Sequence, residues 1–222
     1  MSDYRREDRG GLPSLIGLGV LGCLLLTAPA PVAGQSVLGQ GTAASVRTPT
    51  TGSQTFASAT LPSGGGMNNA DVDAASLANA LGASDLTSIT TGQIDETLVS
   101  ATTSAQATGV TILNGLITAK AVLALATSYA NGTAAVSESN GSTLLGLVVN
   151  GVWYGDGAPA PNTRLDLPGV GYVVLNEQIS SGDGVHDTGL TVNMIHVYLT
   201  DPVTGASIGD IVLGGAQSGA SL

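Results

Sequence analysis

Cysteine occurs once in the 222 residues, as Cys23 near the N-terminus. If the leader described below is removed, the chain has no disulfide, no thiolate nucleophile and no cysteine metal site. Exported domains with small cores often rely on disulfides, so this one needs a core that suffices without them. Basic residues are equally scarce. After Gly34 only Arg47, Lys120 and Arg164 face thirteen acids, a net charge of −10. Phosphate recognition needs cationic side chains, so no nucleic-acid partner is expected. Electrostatic attachment to an anionic membrane is disfavoured for the same reason. The negative charge favours solubility and divalent cations. Aromatic residues make up 3% of the chain, too few to suggest a sugar-stacking groove. The one adjacent aromatic pair, Trp153-Tyr154, is expected to cap an edge of the core. There is no Gly-x-Ser-x-Gly elbow, no His-Glu-x-x-His and no phosphate loop.

The first 34 residues have the layout of a secretory signal peptide. Arg5, Arg6 and Arg9 form a basic start, an apolar stretch runs from Leu12 to Thr27, and small residues and prolines follow to Gly34. The stretch is short for a membrane span, which needs roughly 20 apolar residues, so no stable span is expected after leader removal. Pro31 should hinder cleavage after Ala30, which moves the expected bond to follow Ala33 or Gly34. Val20-Leu21-Gly22-Cys23 is similar to a lipoprotein cysteine box, but Leu24-Leu25-Leu26 place Cys23 inside the apolar core of the leader. Arg5-Arg6 is followed by Glu7-Asp8, where a twin-arginine signal has apolar residues.

About 188 residues remain, enough for one domain with a sizeable core. Residues 35–66 are rich in Ser, Thr and Gly and are read as an extended or flexible N-terminal segment, with a possible strand over Thr55–Leu61. Residues 67–222 are read as the folded domain. The spacing of Val72, Ala75, Leu77, Ala78 and Leu81 suits a short helix. Glu96–Thr108 alternates like a strand, and Gly109–Thr118 reads as one buried strand. Ala119–Tyr129 is taken as a strand turning at Asn131-Gly132, and Ser142–Val149 as another ending at Asn150-Gly151. Further strands are expected at Arg164–Leu167, Tyr172–Ile179, Leu190–Leu199 and Ile208–Leu213. Tight turns fall at Pro168-Gly169 and across Asp201–Gly205. Many short strands with regular turn signals indicate an all-β fold, a single β-sandwich with a jelly-roll-like arrangement.

The polar residues set among these apolar runs are Asn176, Glu177, Asn193 and His196. Asn193 and His196 are three positions apart, so in a regular strand they point to opposite faces unless a bulge intervenes. The expected role of the set is hydrogen bonding inside the sheet, with a Glu177–His196 dyad as the catalytic alternative. Asp183 and Asp187, with His186 between them in a Gly-rich loop, are expected to form a solvated turn and no cofactor is expected; the alternative is that they are ligands for calcium. Asp71 and Asp73 form a second candidate.

Asn114–Ala119, Pro161-Asn162, Leu167–Gly171, Leu175–Gln178, Leu190–Val197 and Gly209-Asp210 together resemble the choice-of-anchor P family of exported bacterial proteins. The resemblance covers roughly residues 96–219. It implies a secreted or surface-displayed domain and supplies no catalytic residues. No sortase motif, apolar span or basic tail follows the last strand, so covalent tethering is not expected. The function read from all this is that of an exported, non-enzymatic structural or adhesive protein of the bacterial cell envelope or extracellular matrix. The alternatives are a calcium-dependent ligand-binding module and a secreted hydrolase. Its partners would be envelope or matrix components or further copies of itself, the latter through addition of the Gln35–Leu61 segment to a neighbour's sheet edge.

Overall fold

Strands joined by tight turns build the computed structural model, which describes residues 34–222. The leader, Cys23 and the Arg5-Arg6 pair lie outside the described residues. Thirteen strands follow one another: β1 (Ser36–Thr48), β2 (Gly52–Thr60), β3 (Gly66–Leu77), β4 (Leu81–Ile94), β5 (Val99–Ile112), β6 (Ile117–Ala130), β7 (Ala135–Glu138), β8 (Thr143–Val149), β9 (Val152–Gly157), β10 (Thr163–Leu167), β11 (Gly171–Ser181), β12 (Asp187–Thr200) and β13 (Ser207–Ser221). They form two antiparallel sheets. One has the order β10-β11-β12-β13-β1-β2; the other runs β3-β4-β5-β6-β8-β9, with β7 also paired to β6. The sheets pack face to face as an all-β sandwich. Their connectivity is that of two meanders, closed in the first sheet where β1 pairs with the last strand, β13. Among the described residues no helix is long and apolar enough to cross a membrane.

Three expectations about the course of the chain change. Residues 35–66 are not a loose segment, because β1 is an inner strand hydrogen-bonded on one side to β13 and on the other to β2. The backbone of β1 is thus paired on both sides within its own sheet, while β2 is an edge strand of that sheet. The expected helix over 71–81 is instead β3 and the turn into β4. Pairing of Met67 through Leu77 with β4 overrides the weak three-and-four spacing of small apolar residues. The run 109–118 is broken, because Leu113, Asn114 and Gly115 all take positive φ and turn β5 into β6.

The interior explains the composition. A main core centred on Leu86, Ile112, Ile117, Leu144, Met194, Ile195 and Leu213 fills most of the sandwich, and a smaller cluster around Val37, Leu61 and Val99 closes one end. Between them the inward side chains are small or hydroxylic. Gly39 and Gly41 of β1 face the opposite sheet so closely that an added Cβ would lie 3.1 Å from Thr103 Oγ1 and 3.0 Å from Ser88 Cβ, respectively. Ser88 Oγ donates to Ala57 O at 2.6 Å, and Ser128 Oγ and Ser218 Oγ bridge the sheets at 2.7 Å. The sheets approach too closely at this level for large rings, and hydrogen-bonded hydroxyls take their place. Trp153 and Tyr154 do not cap the core. They lie on the edge strand β9, 67% and 46% exposed, since Leu144 and Leu147 of β8 already fill the adjacent interior.

Candidate functional site

The strands of the first sheet carry a shared irregularity that builds the site. On β12 the buried positions run Leu190, Val192, Met194 and then Ile195, Val197, Leu199, so the inward face changes phase between Met194 and Ile195. Register partners flank this level but skip it. Leu175 pairs Ile195 and Glu177 pairs Asn193, while Ile195 pairs Leu213 and Asn193 pairs Gly215. The skipped neighbours, Asn176 on β11 and Gly214 on β13, have φ of 48° and 63°. The row continues through Ala43 on β1 to Ala57 on β2, with φ of 47°. Gly214 meets two demands at once: its φ is positive, and an added Cβ would lie 2.8 Å from Val122 of the facing sheet.

This kink settles the spacing question. Asn193 and His196 lie on the same outer face, because the irregularity that the regular-strand expectation lacked falls between them. Both reach one carboxylate. Asn193 Nδ2 and His196 Nδ1 donate to Glu177 Oε2, each at 2.7 Å, and Tyr198 OH donates to Glu177 Oε1 at 2.5 Å. Asn176 lies apart from this group. It donates from Nδ2 to Pro159 O at 2.8 Å and accepts from Gln178 Nε2 at 3.0 Å, holding the β9–β10 connection.

The environment of the carboxylate is unusual for an outer sheet face. The side chains of Glu177 and His196 are only 11% and 12% exposed. Burial by itself pushes the Glu177 carboxyl up. Hydrogen bonds from His196, Tyr198 and Asn193, together with the charge of His196, outweigh it and hold the group down at about 2. Burial, and then the bond to Glu177, push the Tyr198 hydroxyl well above the usual phenol range, so it remains a donor. His196 Nε2 is buried without a hydrogen-bond partner and lies 3.4 Å from Asp210 Oδ2; Asp210 Oδ1 accepts from Arg47 Nε at 2.8 Å.

Cross-strand register extends the cluster outward. Asp166, Tyr172, Tyr198, Asp210 and Arg47 are successive partners across β10, β11, β12, β13 and β1. The Tyr198 ring stacks on His196 with centroids 3.9 Å apart and on Tyr172 at 4.7 Å, and the Arg164 guanidinium sits 3.8 Å above Tyr172. The sequence reading missed Tyr198, although it follows His196 by two positions and so shares its face. Asp210, Arg47 and Tyr172 could be found only with the register of three strand pairs in hand.

The loop candidates are arranged differently. Asp183 Oδ1 accepts the backbone N–H groups of Val185, His186 and Asp187, and its Oδ2 lies 3.0 Å from His186 Nδ1. These bonds, above all the one from Val185, hold its carboxyl well below the usual range. Asp187 Oδ1 accepts from Asp183 N at 3.3 Å. The two carboxylates thus turn onto the loop's own donors. Among the described residues no group of three His, Cys, Asp or Glu side chains is placed to hold a metal ion, and this includes the Asp71 and Asp73 pair.

Beside the buried cluster, the outer face of the first sheet forms a groove of about 400 Å³ across β2, β1, β13 and β12. Amides and hydroxyls line it, with Asn193 and the Arg47–Asp210 pair on its walls. The fold and site together define an antiparallel β-sandwich with a buried imidazole–carboxylate cluster, its carboxylate fully engaged, next to a polar groove. Comparison with protein-family models, with curated proteins and with solved structures finds no match.

Proposed function

We propose that the protein is an exported, non-enzymatic structural or adhesive component of the bacterial cell envelope or extracellular matrix, in keeping with its resemblance to the choice-of-anchor P family. One observation carries the non-enzymatic part. The most buried ionisable group of the outer face, Glu177, has both oxygens engaged by three donors of its own sheet. A general base needs a free lone pair directed at substrate, and a hydrolase needs a nucleophile beside its imidazole. Here Nδ1 of His196 is taken by Glu177, Nε2 faces Asp210, and no serine or threonine hydroxyl bonds to the ring among the described residues. The arrangement fits a cross-strand clamp. The leader-like N-terminus, the acidic composition and the short-loop sandwich support export to a setting where durability matters.

The test is to produce the tagged full-length chain in a bacterial host and follow it through cytoplasm, envelope and medium. In parallel, its purified form is screened against ester, peptide and glycoside substrates. The reading expects a shortened chain in the envelope or medium and no activity that depends on Glu177. A full-size cytoplasmic chain, or turnover abolished by Glu177→Gln, overturns it.

A further inference from the structure

We propose that the groove on the outer face of the first sheet is a binding site for a neutral polysaccharide chain, recognised by hydrogen bonding rather than by ring stacking. This rests for its biological meaning on the envelope or matrix reading above, and names the ligand class that reading leaves open. The groove floor is a cross-strand lattice. Gln40 on β1 pairs Gln217 on β13, which pairs Thr191 on β12; one step along, Ser58, Thr42, Gly215 and Asn193 are successive partners. Beyond the kink, Thr55 pairs Ser45, and the far end is closed by Ser53, Arg47 and Asp210. From Gln40 to Arg47 the floor runs roughly 20 Å, at the rise of an extended strand. The length suits several sugar rings laid along β1.

The lining chemistry selects the ligand by exclusion. Its one cation, Arg47, is already paired with Asp210 at 2.8 Å, and the chain carries a net charge of −10, so a polyanion is repelled. Polar and carbon atoms share its lining about equally, but of its apolar residues Val46 and Ala216 are buried, so no continuous aliphatic stripe is offered to an aliphatic ligand. A peptide cannot add as a strand, because the floor is a sheet face whose backbone is paired to neighbours on both sides at β1, β13 and β12. What remains are uncharged donors and acceptors. Among the described residues the side chains of Gln40, Ser45, Thr55, Thr191 and Gln217 are not engaged with other protein groups and point into the groove. Amides and hydroxyls of this kind pair with vicinal hydroxyls, which both donate and accept. Gly215 leaves the centre of the floor open; an added Cβ would already lie 3.3 Å from Asn193 Oδ1. The buried Glu177 cluster fixes the Asn193 amide at the groove wall, so that side chain is pre-organised.

The experiment is native gel electrophoresis of the full-length protein through gels containing dextran, laminarin or galactomannan, with alginate as the anionic comparison. Retardation in at least one neutral gel is expected. A Gln40→Ala/Gln217→Ala double variant should weaken it by roughly tenfold at unchanged melting temperature, as expected for losing two neutral hydrogen-bonding groups. Passage through all three neutral gels without retardation overturns the proposal, as does equal retardation of the double variant. Retardation by alginate alone overturns it in favour of an anionic ligand. The failures of the two readings are separable. If the double variant reaches the envelope as the parent does but the parent binds no neutral gel, the groove falls and the envelope reading stands. If the chain stays in the cytoplasm yet binds a neutral gel through Gln40 and Gln217, the reverse holds.

Discussion

His196 and His186 each face a carboxylate at hydrogen-bonding distance, 2.7 Å to Glu177 and 3.0 Å to Asp183, yet the two pairs are different objects. The first joins strands nineteen residues apart, lies at 12% and 11% side-chain exposure, and shares its carboxylate with Asn193 and Tyr198. The second spans three residues of one loop at 74% and 50% exposure, and its carboxylate is held mainly by backbone N–H groups. Both carboxyls are held low, for unlike reasons. Side-chain donors from the neighbouring strand β12 overcome burial in one; local turn geometry in solvent accounts for the other. Proximity of an imidazole and a carboxylate therefore does not define a site. What distinguishes the pairs is how much of the fold must be in place to bring them together.

The largest expected effect comes from removing the buried carboxylate. Glu177→Leu strands three donors, and a buried pair broken on one side costs about 3–5 kcal/mol, measurable as a drop in urea midpoint with little change in slope. The kink offers the next way in. Gly214→Ala must absorb a positive φ and a 2.8 Å approach to Val122; it should cost about 1–3 kcal/mol and shift the Glu177 cluster, seen as an altered His196 ring resonance in NMR spectra. An unchanged resonance would show that the kink does not set the cluster.

The third prediction uses acid. Glu177 falls from its ordinary 4.5 to about 2 in the folded chain. A depressed carboxyl stabilises above its unfolded value and loses that stabilisation as pH falls toward the folded one. The wild type should thus lose on the order of 3 kcal/mol between about pH 4.5 and pH 2 through this group, and Glu177→Gln should titrate more shallowly over that window. Smallest of all is Asp183→Asn, which leaves the turn with a weaker acceptor. Its expected signature is faster amide exchange confined to Val185–Asp187, with the global melt unmoved.

The same contrast sets what could be read from the chain. The loop pair is local, so the Gly-rich spacing of Asp183, His186 and Asp187 placed it in a turn. The strands from Thr163 onward were legible because β-branched alternation and strong turn residues agree there. Phase was not legible. Met194 and Ile195 are adjacent, apolar and both buried, and a period of two cannot say which carries the register forward. The signal lay on the neighbours instead: Asn176 and Gly214, residue types that tolerate positive φ, interrupt strands otherwise rich in Val, Ile and Leu. Residues 35–66 were misread because their Ser, Thr and Gly content is that of a linker, whereas Gly39 and Gly41 are selected by close approach of the facing sheet. Trp153 was misplaced because size predicts burial only where the core has room.

The most direct test of the account is a pair of double-mutant cycles on unfolding stability, one combining Glu177→Gln with His196→Gln, the other Asp183→Asn with His186→Gln. The account predicts a coupling of about 1–3 kcal/mol for the cross-strand pair and no resolvable coupling for the loop pair. Equal coupling in the two cycles, or none between Glu177 and His196, would contradict the claim that the buried cluster clamps the sheet.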